Sequence, residues 1–387
     1  MYSNNDNVFY NLTGRKHNDW CLHIKQITPE IIEQNKPRNF YFNIADSIFD
    51  GIKFENCLDP NSIKTLRKFN SSSLTIDFNA EPFYRTELDS IYQFYIDNGI
   101  SLSKLFFCVQ DELQKKFIYN YLSEYGLHKE NIAIYPRHYT YPFFYTPIQS
   151  NLLEHKKFCM LIRRHEDNRL RFLLNLWHKN ILKDTHFTYQ AMEMDIATVT
   201  NYTRNVREDT NLSLTDHELE FINNIPFRLD SSDTGDPQDQ PIITEAIVKS
   251  DFSIVVETVI DQKLYYNDLK DISNFKWGKY FSPTDISEKT FNVVSAGKPF
   301  FVVATPHWLQ DFRYLGFKTF APYIDESYDR IYPINKRLAK ITDEIRRIQN
   351  LPPDEYEKVR EKCNQIAQEN KIFWQEKVDH YLKTGNI

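Results

Sequence analysis

A carboxylate and an ammonium, Glu288 and Lys289, stand side by side in the stretch Ile286–Phe320, I-S-E-K-T-F-N-V-V-S-A-G-K-P-F-F-V-V-A-T-P-H-W-L-Q-D-F-R-Y-L-G-F-K-T-F. The pattern predicts a helix over about Ser287–Ser295 stopped by Gly297, a buried strand over Phe300–Ala304, a loop and a second short helix. The free N–H groups of a helix start carry roughly half a positive charge, so a lysine in that turn calls for an anion nearby. A bound phosphate would supply one. A local alternative stands beside it: Asp285 and Glu288, three apart, can form an Asp version of a capping box and leave Lys289 in solvent.

Two other places pair charge with a strand end. The predicted strand Phe158–Ile162 runs into Arg163-Arg164, read as a tight polar turn through Asp167, and the helix after it opens with Arg169. The nearly wholly apolar strand Phe252–Glu257 ends in a carboxylate. Ligands of parallel α/β domains bind outside the carboxyl ends of the strands. If these strands are neighbours, Arg163, Arg164, Arg169, Lys289, Glu257 and Glu288 converge. That set suits a nucleoside diphosphate, with cations on the phosphates and a carboxylate on ribose hydroxyls or base. Taken alone, Arg163-Arg164 is equally a solvated turn.

Several chemistries lack their residues. The chain has no G-x-G-x-x-G, no G-x-x-x-x-G-K-[ST], no H-E-x-x-H, no G-x-S-x-G, no protein-kinase signature set and no Asp-x-Asp metal motif. The expectation is chemistry without a metal or cofactor.

These residues must be held by a framework, and 387 residues are long for one core, so two domains are expected. The first half alternates candidate strands, Cys21–Ile24, Phe40–Ile44, Leu74–Phe78, Leu105–Val109 and Ile132–Tyr135, with helices over Arg85–Asp97 and Asp111–Tyr125, the latter ended by Gly126. Such alternation argues for a parallel sheet covered by helices. Pro136–Pro147 reads as a packed linker. The rhythm then resumes with strand 158–162 and a helix over Asn168–Lys179, followed by a long irregular region that includes the loop Ser231–Gln240. A short helix over Ile243–Lys249 leads into strand 252–257. The chain ends in two helices, with Leu338, Ile341, Ile345 and Ile348 on one face and Tyr356, Val359, Cys363, Ile366 and Phe373 on the other. The expected domains are 1–150, 151–334 and C-terminal helices over 335–387 that pack back across both.

With 29 Phe, 24 Tyr and only 9 Gly, loops must be built from Asn, Asp, Ser and the 17 Pro. Five scattered cysteines (Cys21, Cys57, Cys108, Cys159, Cys363) have no metal-ligand spacing and fit a reducing cytosol. No signal peptide or membrane span is read, so a cytoplasmic protein is expected and the sequon at Asn11 carries no meaning. A net charge of −6 gives no global attraction to nucleic acid. A local groove lined by Lys336-Arg337 and Arg346-Arg347 stays open as an idea.

The stretch S-E-K-T-F-N-V-V-S-A-G-K-P-F, then G-F-K-T-F and D-E-S-Y-D at 325–329, resembles a family of glycosyltransferases of bacteriophages and large DNA viruses. Their hallmark is T-E-K-T-x-K-P-x-x-x-G-x-P-F followed by G-F-K-T-F and D-E-S-Y-D. That family is distantly similar to α1,3-fucosyltransferases, whose T-E-K stretch contacts the nucleotide sugar. The likeness spans about Phe158–Arg330, and the Arg164–Arg169 segment resembles the basic motif that opens the second domain. Ser287 replaces the usual Thr, Asn292-Val293 the usual Lys-Pro, and Glu166 a basic residue.

The resemblance implies a GT-B-like fold: two Rossmann-like α/β domains face each other across a cleft, with C-terminal helices. The second domain binds a UDP- or GDP-linked sugar and the acceptor enters from the first. Lys289 and Arg164 would neutralise the leaving diphosphate, Glu257 and Glu288 would hold ribose or sugar hydroxyls, and Arg163, Arg169, Ser287 and Thr290 would complete the donor site. An inverting transfer needs a base from the first domain. Glu81, just beyond strand 74–78, is the first choice, with Asp77 and the linker residue His138 as alternatives. Each also has an ordinary reading, as a cap, a solvated loop carboxylate or a packed histidine. Trp308 is either core or a stacking platform. Asp325, Glu326 and Asp329 are expected to serve structure or solubility. The implied acceptor is a hydroxymethylated or otherwise modified base of viral DNA, or a virion or cell-surface glycan, met in the host cytoplasm without membrane contact. The rival from another class is a non-catalytic nucleotide- or carbohydrate-binding structural protein that kept the fold.

Overall fold

The computed structural model describes residues 9–11, 24–26, 39–43, 73–77, 85–109, 112–134, 153–192, 215–229, 241–257 and 286–384. The chain divides into two compact units. One comprises Met1–Tyr141, Lys270–Asp285 and Lys377–Ile387, the other Pro142–Leu269 and Ile286–Glu376. Each is an α/β unit built on a parallel sheet.

The first unit carries β1 (Phe9–Asn11), β2 (Ile24–Gln26), β3 (Asn39–Asn43), β4 (Ser73–Asp77), α1 (Arg85–Asp97), β5 (Leu105–Val109), α2 (Glu112–Leu122) and β6 (Ile132–Ile134). Its sheet has the order β2-β1-β3-β4-β5-β6 with every pair parallel. The short strand β1 was not anticipated. Leu88, Ile91 and Tyr95 of α1 are buried, as helical spacing requires, and Leu105, Phe107 and Val109 fill the core side of β5. Asn131 joins the starts of β5 and β6, its side-chain amide donating to Ser103 O at 3.0 Å and Leu105 O at 2.9 Å. Gly126 closes the turn after α2 at φ +98°, a left-handed conformation that glycine adopts without strain.

The second unit runs β7 (Lys156–Arg164), α3 (Asp167–His178), β8 (Thr185–Met192), α4 (Asp216–Ile222), α5 (Pro241–Val248), β9 (Ser250–Val256), α6 (Glu288–Ser295), β10 (Phe300–Val303), α7 (Trp308–Tyr314), α8 (Ile334–Gln349) and, as far as Glu376, α9 (Pro353–Thr384), whose last turns belong to the first unit. Its sheet has the order β10-β9-β7-β8, again wholly parallel. β9 and β10 are buried along their whole length, β10 as the continuous apolar run that a parallel sheet favours and β9 with Ser250, Asp251 and Ser253 buried among its apolar residues. Two expectations change. Arg163 and Arg164 do not form a turn but extend β7, and part of the region expected to be irregular holds β8 and α4. Among the described residues no helix is long and apolar enough to cross a membrane.

α8 turns Leu338, Ile341, Ile345 and Ile348 into the core, all 0% exposed. Arg337 is buried with them and donates to Ile331 O at 2.6 Å and Tyr332 O at 2.9 Å. It therefore lines no nucleic-acid groove, while Arg347 is held by Glu344 at 2.6 Å. Beyond β10 the acidic residues hold backbone together. Asp329 accepts the Leu309 N–H at 3.0 Å, Glu326 accepts those of Phe320 and Ala321, and Asp325 pairs with Lys340 at 2.6 Å.

Trp308 belongs to this core and not to a binding surface. It stacks on Phe312 at 5.2 Å, meets Phe300 edge-on at 6.2 Å, and is 0% exposed. Truncation leaves a cavity that rigid strands cannot fill. Trp308→Ala should lower the unfolding free energy in urea titrations by roughly 3–5 kcal/mol, whereas a loss below about 1 kcal/mol would show that the ring contributes little to the core.

Candidate functional site at the carboxyl edge of the second sheet

From β7 the chain lays β8 on one side, then returns to place β9 on the other side of β7, with β10 beyond. The point where strand order reverses therefore lies between β7 and β9, where helix starts diverge and a crevice opens at the carboxyl ends. Arg163 and Arg164 close β7, and Glu257 follows β9. The adjacency on which convergence depended is present.

Glu257 is 1% exposed and its backbone N–H donates to Val303 O at 3.0 Å, so it continues the β9–β10 register. Its carboxylate is wrapped by the start of α6. Oε1 accepts the Ser287 N–H at 3.3 Å and the Thr290 hydroxyl at 2.6 Å, while Oε2 accepts the Ser287 hydroxyl. Burial pushes the Glu257 pKa up, opposed by the Lys289 charge and by the hydrogen bonds from Ser287 and Thr290. On the other flank Arg169, itself buried, donates through Nη2 to Glu257 O at 3.2 Å and pairs with Glu166 at 3.0 Å.

Ser287, in extended backbone, is the N-cap of α6, its Oγ accepting the Lys289 N–H at 3.2 Å. This replaces the capping box expected from Asp285, a residue outside those described. Lys289 is about one-third exposed, with Nζ 3.2 Å from Glu288 Oε1 and 3.5 Å from Ser287 Oγ. The helix start thus already has an anion beside it, the carboxylate of Glu257. The position of Lys289 does not by itself require a phosphate.

The structure brings together Arg169, Glu257, Ser287, Glu288, Lys289 and Thr290. Arg163 is exposed at the end of β7, and Arg164, the last residue of that strand, is in register with Met192 of β8. Asp77 is the last residue of β4, opposite Asn43 and Cys108. Glu81 and His138 lie outside the described residues. Among the described residues no group of three His, Cys, Asp or Glu is placed to hold a metal ion.

One polar cluster escaped the sequence reading. His165, directly after β7, lies 2.7 Å through Nδ1 from the Tyr189 hydroxyl and 3.8 Å through Nε2 from Asp167. The run R-R-H-E-D after an apolar strand was its signal. Tyr189 comes from β8, the strand not anticipated, so no partner was in view. These residues line the carboxyl edge of the sheet, with Arg163, Glu288 and Lys289 reaching solvent and Arg169, Glu257, Ser287 and Thr290 buried behind them.

No protein-family model matches the chain, and no curated protein matches it. Solved structures do. The α,α-trehalose-phosphate synthase (UDP-forming) from Burkholderia vietnamiensis is similar at 12% identity and a TM-score of 0.41, covering 89% of this chain and 74% of that one. The α,α-trehalose 6-phosphate synthase from Burkholderia multivorans shows 11% identity and 0.40, over 89% and 70%. That from Burkholderia xenovorans in complex with glucose-6-phosphate shows 9% and 0.40, over 91% and 75%.

Burial and the neighbouring Arg169 charge lower the His165 pKa from 6.5 to about 4. Between these values the unfolded chain takes up the proton and the folded chain does not, so stability falls as pH drops through that window. Wild type should lose on the order of 2 kcal/mol more than His165→Gln between pH 6.5 and 4 in paired denaturation curves. Identical pH dependence of the two proteins would refute a buried neutral imidazole.

Proposed function

We propose that this protein is a nucleotide-sugar-dependent glycosyltransferase of the GT-B type, moving a sugar from a UDP- or GDP-linked donor to an acceptor hydroxyl. The observation that carries the reading is the charge cluster at the switch point of the second sheet, where Arg169, Glu257 and the Lys289-bearing start of α6 meet beside the end of β7. The resemblance of residues 158–330 to glycosyltransferases of bacteriophages and large DNA viruses supports it.

In this mechanism the bond between the anomeric carbon and the diphosphate oxygen breaks with its electron pair leaving on the diphosphate. Lys289, with Arg163 and Arg164 from β7, offsets that growing charge, which is electrostatic catalysis by preplaced cations without a metal ion. Glu288, on the exposed side of α6, accepts hydrogen bonds from donor hydroxyls. The acceptor oxygen attacks the anomeric carbon and gives its proton to a base, for which we assign the Glu81 carboxylate ahead of the Asp77 carboxylate and the His138 imidazole. Following the resemblance, the acceptor is a modified base of viral DNA or a virion or cell-surface glycan, reached in the host cytoplasm. Mass spectrometry of nucleosides from cells expressing the protein separates the two, since only the first adds a hexose mass to a base.

UDP or GDP should raise the melting temperature, and Lys289→Ala should weaken that nucleotide by about tenfold or more with the fold retained. Glu81→Gln should abolish transfer and slow donor hydrolysis while binding persists. A wild-type protein that no nucleotide stabilises sinks the proposal. Binding without transfer, indifferent to Glu81→Gln, would make the chain a nucleotide-binding module instead.

A further inference from the structure

We infer that Glu257 positions the nucleotide site through Ser287 and Lys289 and does not itself touch the nucleotide, an assignment that rests on the reading above. A carboxylate at a strand end beside a phosphate site would ordinarily be given to ribose hydroxyls. Here the geometry points elsewhere. Glu257 is 1% exposed, and both oxygens are turned into the protein: Oε1 toward the Ser287 N–H and the Thr290 hydroxyl, Oε2 toward the Ser287 hydroxyl. Its backbone is clamped on both sides, the N–H by Val303 O and the carbonyl by Arg169. Turning it toward a ligand would break three hydrogen bonds and leave the start of α6 without its anion.

Glu257 reaches Lys289 by a short relay. It holds the Ser287 hydroxyl, and that oxygen accepts the Lys289 N–H at 3.2 Å and lies 3.5 Å from Lys289 Nζ. The carboxylate also offsets the repulsion between the helix start and the lysine, so an ammonium can be kept in the first turn of α6 with the site empty. The cation is held ready, and less ordering is needed when the diphosphate arrives.

The test uses whichever of UDP or GDP binds, together with its 2′,3′-dideoxy form, titrated against wild type, Glu257→Gln, Lys289→Ala and the double variant. Removing a negative charge would by itself tighten binding of an anion, so the sign is informative. We expect Glu257→Gln to weaken both nucleotides by the same factor, about tenfold, and to add nothing on the Lys289→Ala background. Thr290→Val, which removes one donor to the carboxylate at constant charge, should weaken both nucleotides equally by a smaller factor, and guards against misreading a folding defect in Glu257→Gln. Loss confined to the nucleotide that keeps its ribose hydroxyls would make Glu257 a direct contact and overturn the assignment. So would tighter binding, or factors that multiply in the double variant. If wild type binds neither nucleotide, the parent reading falls, and this assignment with it.

Discussion

One buried carboxyl group, that of Glu257, holds the carboxyl edge of the second sheet together. A carboxylate taken out of water without partners is costly enough to protonate instead. Glu257 is held by three donors from a single turn of α6, with Lys289 and Arg169 close by. Burial drives its pKa up and these partners pull it back. The consequence is mechanical as well as electrostatic. Three elements are tied at this one residue, which directly follows β9: the start of α6 holds its carboxylate and the first turn of α3, through Arg169, holds its backbone carbonyl.

Side chains that hold backbone recur among the described residues. With 9 glycines in 387 residues, few turns can be shaped by backbone freedom alone. Side chains do it. Asp329 and Glu326 take backbone N–H groups beyond β10, and Thr215 and Glu218 form a reciprocal capping box on α4. Asn370 on α9 accepts from the Lys318 N–H and donates to Lys318 O, both at 2.8 Å. Where glycine is used, the left-handed backbone matters: Gly316 at φ +98° also leaves room for Phe373, whose ring a Cβ would meet at 2.6 Å.

Much of this was legible because apolar spacing and burial agree. β5, α1 and the buried faces of α3 and α8 follow from periodicity, since nothing competes with hydrophobic burial there. β8 was not legible. Its buried residues include Thr185, His186 and Thr188, and each is satisfied by a hydrogen bond invisible in sequence: Thr185 donates to Ile181 O, His186 meets Glu154 O, and Thr188 accepts the Ile162 N–H. A strand that buries polar residues on both faces lacks a clean hydrophobic alternation. Missing β8 hid Tyr189 and with it the partner of His165. α4 had a readable start in T-D-H-E, but seven residues give too short a period to stand out. For the site, the residue types at the strand ends were readable, and what they do to one another was not. Ser287 and Thr290 were expected to complete a donor site, whereas in three dimensions they close around Glu257, about thirty residues earlier in the chain.

That closure changes what Lys289 means. Viewed within its own helix, the lysine opposes the dipole and calls for an external anion. Once Glu257 is in place the helix start is already compensated, so electrostatic need can no longer point to a ligand. What supports the proposed site is topology: the reversal of strand order falls between β7 and β9, and Lys289 and Arg163, both partly in solvent, stand at the ends of the elements flanking it. Within the cluster Glu257 and Arg169 are enclosed, whereas Lys289 and Glu288 pair at 3.2 Å on the solvent side. On the proposed reading the labour divides physically: the enclosed Glu257 sets the geometry, and Lys289, paired with Glu288 at the solvent side, is the cation that meets the diphosphate.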